Sequence, residues 1–459
     1  MLFCSMKFVF VFIPIFFLLY YLMPERFRNA FLFVGSVCFY AFGEWKYLPL
    51  LLVSLLINYF IALLIHGAKG PGRKKLLLVL SLIYNFGMLF VFKYLPFLAG
   101  ELGIPFETFW ALPLGISFYT FQIVSYVLDV YWERIRAEKS VIYLGTYLCM
   151  FPQLIAGPIV IYSDIREQID NRKYSLRNIE DGLKTFVIGL AYKMLIANVL
   201  GSLWNQLGVT GYESISTPIA WLGMFAYTFQ IYFDFNGYSL MAIGLGKMLG
   251  FDIPRNFDHP YTSKSITEFW RRWHITLGSW FREYVYIPLG GSRKGKARLI
   301  FNLFIVWTLT GIWHGAGWNF VIWGLLLFAL IAIEKLGFMK ILERFKPISV
   351  VYMLLIVPMS WMVFAIDNIK NLGIYFGRLF PFLSATTSEF VNNHDVITAL
   401  TKYGLFFVAA IIFSSKLPEQ LYNKNKNRLW MVLLLLIIFW VCVWQMMTAV
   451  NNPFLYFRF

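Results

Sequence analysis

The sequence predicts an all-α, polytopic integral membrane protein. Three features predict it: an excess of apolar residues, their gathering into runs of membrane-spanning length, and basic residues confined to short loops between the runs. Of 459 residues, 59% are hydrophobic and 14% are charged. A soluble domain carries about 25% charged residues and cannot hide this much apolar surface. Segments 8–23, 47–65, 315–333, 349–366 and 430–450 hold no charged residue, and 76–98 holds only Lys93. About 20 apolar residues cross a hydrocarbon core of about 30 Å, so these runs and the shorter ones amount to roughly ten to twelve transmembrane or re-entrant helices. Lipid offers the backbone no hydrogen bonds, which makes helices the spanning element for runs this long. No series of ten-residue alternating segments suggests a barrel. Without a linker, a low-complexity stretch or a repeat, residues 1–459 are expected to form a single membrane-embedded domain.

The loops give an orientation. The first run lacks a small-residue cleavage site and is followed by Pro24-Glu25-Arg26, so it reads as a retained helix. Arg26 and Arg28 follow it; Lys69, Arg73, Lys74 and Lys75 follow the third run; Arg134, Arg136 and Lys139 follow the fifth. The loop at 101–107 between them is acidic. Placing the basic loops, 164–184 and the strongly basic 264–298 in the cytoplasm puts the N-terminus outside a multi-pass protein of the cytoplasmic membrane. The net charge of +16 is thereby a matter of topology, and nucleic acid is not an expected partner. Cys4, Cys38, Cys149 and Cys442 are scattered, mostly inside apolar runs. They indicate neither a disulfide framework nor a metal site.

Five histidines are the obvious chemical residues. His66, beside a basic loop, and His394, in a polar loop, read as solvated; His259, before Pro260, reads as part of a turn. His314 differs. It sits in Thr310-Gly311-Ile312-Trp313-His314-Gly315-Ala316-Gly317-Trp318-Asn319, in a run that starts near residue 299. Fifteen residues at about 1.5 Å each put it about 20 Å into the bilayer. An ionisable group at that depth is a functional hypothesis by default, and the glycines around it permit a broken helix or close approach of a ligand. The alternative is a core histidine bonded to a neighbouring carbonyl. His274 lies in Ser265-Ile266-Thr267-Glu268-Phe269-Trp270-Arg271-Arg272-Trp273-His274. Ser265 and Glu268 form a capping box, so a helix is expected to start there. Its charges interrupt any span, and it reads as interfacial or re-entrant. Trp270, Arg271, Arg272, Trp273 and Arg282 either anchor this segment at the membrane surface or form a basic, aromatic vestibule for an anionic thioester donor.

These motifs, with Asp234-Phe235-Asn236-Gly237-Tyr238-Ser239, Tyr286-Ile287-Pro288-Leu289-Gly290-Gly291, Pro113-Leu114-Gly115-Ile116-Ser117 and Phe151-Pro152-Gln153-Leu154-Ile155-Ala156-Gly157-Pro158, resemble the membrane-bound O-acyltransferase family. More narrowly, they resemble its branch of alginate and polysaccharide O-acetyltransferases, and the likeness runs in order along nearly the whole chain. The resemblance implies helices around a central cavity, with His314 as catalytic histidine and His274 as its companion. It also implies substrate contacts at Trp270, Arg271, Arg272, Trp273, Arg282, Trp313, Asn319 and Asp234. The branch often carries an acid where this chain has Leu240; Asp234 is the nearest acid.

The implied chemistry is transfer of an acyl, expectedly acetyl, group from a cytoplasmic thioester toward hydroxyls of an extracytoplasmic glycopolymer such as an alginate-like exopolysaccharide or peptidoglycan. Histidine titrates near working pH, and a desolvated imidazole stays neutral, the form a base requires. There is no Gly-x-Ser-x-Gly elbow. No bound cofactor is expected; acetyl-coenzyme A or an acyl carrier protein would be the donor, and an extracytoplasmic acyltransferase or polymer-modifying protein a partner. D-alanyl transfer to teichoic acid is the alternative within the family, and a transporter is the alternative from another class, although no inverted repeat is evident. Finally, 430–450 is long enough to cross once, which leaves Phe454-Leu455-Tyr456-Phe457-Arg458-Phe459 outside. That segment is either an interfacial aromatic belt or a relay in which the Tyr456 hydroxyl carries the acyl group.

Overall fold

A computed structural model describes residues 3–104, 111–383, 394–448 and 454–455. Among them there are helices and no strands. Eight helical stretches are long and apolar enough to cross a bilayer, among them Glu25–Gly67, Lys296–His314, Lys346–Ala365 and Leu429–Thr448. The first of these contains two 20-residue helices, Glu25–Glu44 and Leu48–Gly67, joined by the turn Trp45–Tyr47. The helix Leu429–Thr448 turns Leu433, Ile437, Trp440 and Trp444 outward. An aqueous surface would not tolerate such a stripe, whereas lipid does.

The chain divides into two compact units. The first comprises 1–186 and 238–255. At its heart lies Ile116–Tyr131, buried from Ile116 through Val130 because it packs against Leu48–Gly67, Pro71–Leu89 and Val141–Cys149. Two polar residues and a serine, all fully buried, join the pair Leu48–Gly67 and Pro71–Leu89. Asn58 Oδ1 accepts from Ser81 Oγ at 2.8 Å and Asn85 Nδ2 at 2.8 Å, and Asn58 Nδ2 donates to Asn85 Oδ1 at 3.1 Å. Where the surroundings are as apolar as the side chains, such bonds specify which helix faces meet. Gly115 starts the central helix at φ +78°, and a Cβ there would lie 2.5 Å from the Leu154 carbonyl. Two motifs distant in sequence, around residues 113–117 and 151–158, thus meet at a glycine.

The second unit comprises 187–237 and 256–459. Its core is the hairpin of Lys296–His314 and Trp318–Ile333, onto which Lys346–Ala365 packs. Gly311 and Gly324 face each other at the crossing: a Cβ on Gly311 would sit 2.5 Å from the Phe320 carbonyl, and one on Gly324 2.5 Å from the Trp307 carbonyl. Small residues are what bring two membrane helices to backbone contact, and here they fix the turn that follows His314. The short helices Ile266–Arg272 and Ile275–Phe281 are seven residues each, and a single helix of that length does not reach across a bilayer. The first begins at Ser265, whose Oγ accepts the Glu268 N–H at 3.0 Å, as a capping box predicts; the Glu268 carboxylate reaches one residue further back than that box has it, to the Lys264 N–H at 2.8 Å.

Gly311→Val should force the hairpin apart and lower stability by about 1–3 kcal/mol or more. Gly373→Ala, at an exposed helical position with nothing within 4 Å of the new Cβ, should be neutral or stabilising by up to about 1 kcal/mol. Thermal unfolding in detergent compares the two; equal midpoints would contradict the crossing.

Candidate active site

His274 stands at the break between the two short helices, in the left-handed region at φ +45°, a conformation uncommon for a residue with a side chain. Asn256 holds the break. Its backbone carbonyl accepts the Ile275 N–H at 2.9 Å. Its Oδ1 lies 3.3 Å from the Thr276 N–H, 3.0 Å from Thr276 Oγ1 and 3.1 Å from His274 Nδ1. A backbone N–H can only donate, so the atom facing it is the amide oxygen, and His274 must donate to the same oxygen from Nδ1. The proton is thereby assigned to Nδ1, and Nε2 carries the basic lone pair. The ring is 1% exposed, and burial pushes the imidazole down to about 3, so His274 is neutral at working pH.

The preceding helix is held from its other end. Glu334, fully buried at the end of the hairpin, accepts the N–H groups of Ile266 at 2.7 Å and Thr267 at 2.8 Å and the Thr267 hydroxyl at 2.6 Å. A carboxylate on the free N–H groups of a helix N-terminus is favourable in charge as well as in hydrogen bonding.

His314 is the last residue of Lys296–His314 and is 4% exposed. Its ring meets Trp313, Trp323 and Phe364 edge-on, at 5.0, 5.0 and 5.4 Å between centroids. Trp313 also lies 6.1 Å from His274, so the two histidines flank one indole. Behind them Trp323 stacks on Trp361 at 5.9 Å, Trp361 meets Trp273 at 4.8 Å, and Trp270 meets Trp323 at 5.4 Å and Trp307 at 5.1 Å. The indole N–H groups of Trp270 and Trp323 are buried without a hydrogen-bond partner among the described residues. Buried donors are rarely left so, and one beside a reacting centre can serve a substrate oxygen.

The sequence-predicted residues are therefore distributed unevenly. His274, His314, Trp270, Trp273 and Trp313 gather. Asn319 lies just beyond the turn and donates to the Phe364 carbonyl at 2.9 Å, tying the hairpin to the next helix. Asp234 faces Lys193 and the Leu455 N–H. Arg272 pairs with Glu268 at 2.6 Å and Arg282 with Glu283 at 2.9 Å, while Arg271 and Arg282 are exposed. Tyr456 lies outside the described residues, and no group of metal-binding side chains occurs among those described. Asn256, Glu334, Trp323 and Trp361 were not anticipated. A lone acid closing an apolar run could have singled out Glu334, by the reasoning that singled out His314. Asn256, Trp323 and Trp361 carry no such mark.

The chain matches the family model of membrane-bound O-acyltransferases over residues 37–376. It belongs to that family. This acyltransferase, a multi-pass membrane protein, is 36% identical to a probable alginate O-acetylase of Pseudomonas putida across the full length of both chains. It is 34% identical to a peptidoglycan O-acetyltransferase of Helicobacter pylori, covering 93% of this chain and 91% of that one. A teichoic acid D-alanyltransferase of Streptococcus thermophilus is 29% identical over 46% of this chain, a partial and more distant likeness.

If Asn256 holds the His274 turn, Asn256→Leu leaves the Thr276 N–H and His274 Nδ1–H without their acceptor, which should lower stability by about 1–3 kcal/mol and acyl transfer at least about tenfold. Asn256→Asp keeps an acceptor oxygen and should retain more of both. Unfolding midpoints and a transfer assay decide, and a Leu variant equal to the parent would refute the role.

Proposed function

We propose that this acyltransferase moves an acetyl group from a thioester donor on the cytoplasmic side to hydroxyls of an extracytoplasmic glycopolymer, with His314 as the base. The reading is carried by one combination: full-length similarity to proteins named as alginate and peptidoglycan O-acetyltransferases, around a buried histidine pair that shares Trp313. Teichoic acid D-alanylation has only the partial likeness behind it.

In this reading His314 accepts the proton of the attacking hydroxyl as its oxygen adds to the thioester carbonyl. The C–S bond then breaks, and the proton passes to the departing thiolate, leaving ester and thiol. Charge developing on the carbonyl oxygen would find the indole N–H of Trp323 or Trp270. His274, held neutral with Nε2 as acceptor, orients the donor or the hydroxyl. Arg271, with Arg272 and Arg282 beside their carboxylates, draws an anionic donor such as acetyl-coenzyme A or an acyl carrier protein toward the site. The protein lies in the cytoplasmic membrane with its N-terminus outside, following the basic loops. A separate extracytoplasmic protein completes delivery to the polymer, with Tyr456 as the relay between the two.

His314→Ala should abolish polymer O-acetylation while the protein still inserts and purifies as a single species. Mass spectrometry of envelope polysaccharides from cells carrying parent or variant tests this, and full acetylation by the folded variant would sink the mechanism. Tyr456→Phe keeps the aromatic character and removes only the hydroxyl. A relay requires loss of polymer acetylation, together with an acetyl adduct on Tyr456 in the parent when the partner is absent; normal acetylation by the Phe variant eliminates it.

A further inference from the structure

Lys193 lies within an otherwise apolar stretch, in the loosened turn Tyr192–Ala197, and is 3% exposed; Asp234, on Thr217–Met248, is 2% exposed. The two form a buried ion pair. Gly237 makes their meeting geometrically open, because a Cβ there would lie 2.7 Å from the Gly189 carbonyl and 3.0 Å from the Lys193 nitrogen. A buried pair stabilises a fold poorly, since desolvating two charges offsets most of their attraction; apolar replacements of similar size are often equally stable. The pair therefore calls for a function beyond joining two helices.

The other carboxylate oxygen supplies one. Oδ1 of Asp234 faces Lys193, and Oδ2 accepts the backbone N–H of Leu455 at 2.7 Å. Leu455 is 221 residues away in sequence. Its neighbour Phe454 is buried to 1% exposure, with its ring 5.8 Å from that of Phe235. Phe235 in turn stands perpendicular to His274 at 4.7 Å. One short stretch of helix thus holds Phe454–Leu455 on one side and touches the histidine site on the other.

We propose that Lys193 and Asp234 form a clasp that positions the Phe454–Leu455 segment against the wall of the histidine site, and that acyl transfer depends on this placement. Lys193 holds Asp234 turned so that its second oxygen meets the Leu455 N–H, and a backbone N–H donating to a carboxylate of an ion pair makes a stronger bond than a neutral pair does. Lys193 and Asp234 are positioning residues in this scheme; neither reacts. The dependence on transfer rests on the function proposed above, whereas the clasp itself can be tested without any substrate.

The test uses the full chain with Cys4, Cys38, Cys149 and Cys442 replaced by serine and Leu455→Cys introduced, which keeps the backbone N–H. A membrane-impermeant maleimide reports how firmly residue 455 is held. The double variant K193M/D234N removes both charges but leaves an amide oxygen to accept the bond; K193M/D234L removes the charges and the acceptor. Residue 455 should label roughly tenfold faster in K193M/D234L than in K193M/D234N, as loss of one buried hydrogen bond implies. Equal rates in two monodisperse proteins overturn the clasp. Should K193M/D234L fail to fold, Leu455→Pro deletes only the N–H while Leu455→Ala keeps it. Transfer by the Pro variant should fall roughly tenfold below that of the Ala variant, the scale of one lost buried bond, and equal transfer overturns the proposal. A parent without acetyl transfer but with the predicted labelling difference would overturn the function and leave the clasp standing.

Discussion

A protein that folds in lipid must satisfy its backbone from within, and every break in a helix exposes N–H groups that the helix no longer serves. In the unit that holds the histidines, three buried side chains answer that constraint. Asn256 takes the N–H of Thr276 at the break beside His274. Glu334 takes those of Ile266 and Thr267 where the preceding helix begins. Asp234 takes that of Leu455. The first two lie at breaks in the segment that carries His274 and the third meets a residue beside Phe454, so these acceptors help set the positions of the side chains around the candidate site.

The arrangement explains why the histidines can differ in what surrounds them. His274 is a member of a polar cluster; a shared amide oxygen sets its tautomer and its strained φ together. His314 ends a long apolar helix and meets the edges of Trp313, Trp323 and Phe364, with its position set by the Gly311–Gly324 crossing and the turn beyond it. One site is orientated by hydrogen bonds and the other by packing, and Trp313 is the element common to both. A base requires a neutral, desolvated ring near its target, and rigid aromatic walls supply the low-dielectric setting in which fixed donors act most strongly.

The charged residues of the 264–298 segment take on a different character once their neighbours are known. Arg272 and Arg282 each lie beside a carboxylate four or fewer residues away, which locally offsets their positive charge. Exposed pairs of this kind contribute little to stability. Arg271 is exposed with no ion-pair partner among the described residues and remains the clearest point of attraction for an anion.

By itself the sequence determined the membrane class, the helical architecture, the Ser265 cap and the presence of His314 within an apolar run. These follow from local quantities: run length, charge spacing, a capping pattern, and an ionisable residue among apolar ones. The family followed as well, because its motifs are contiguous words in the chain. Only the tertiary structure decided that His274 and His314 share Trp313, that Asn256 orients His274, that Glu334 caps a helix 68 residues before it, and that Asp234 reaches Leu455. Each of those depends on which backbone N–H comes to rest beside which acceptor, and that is settled by helix packing, which leaves no periodic trace in the order of residues.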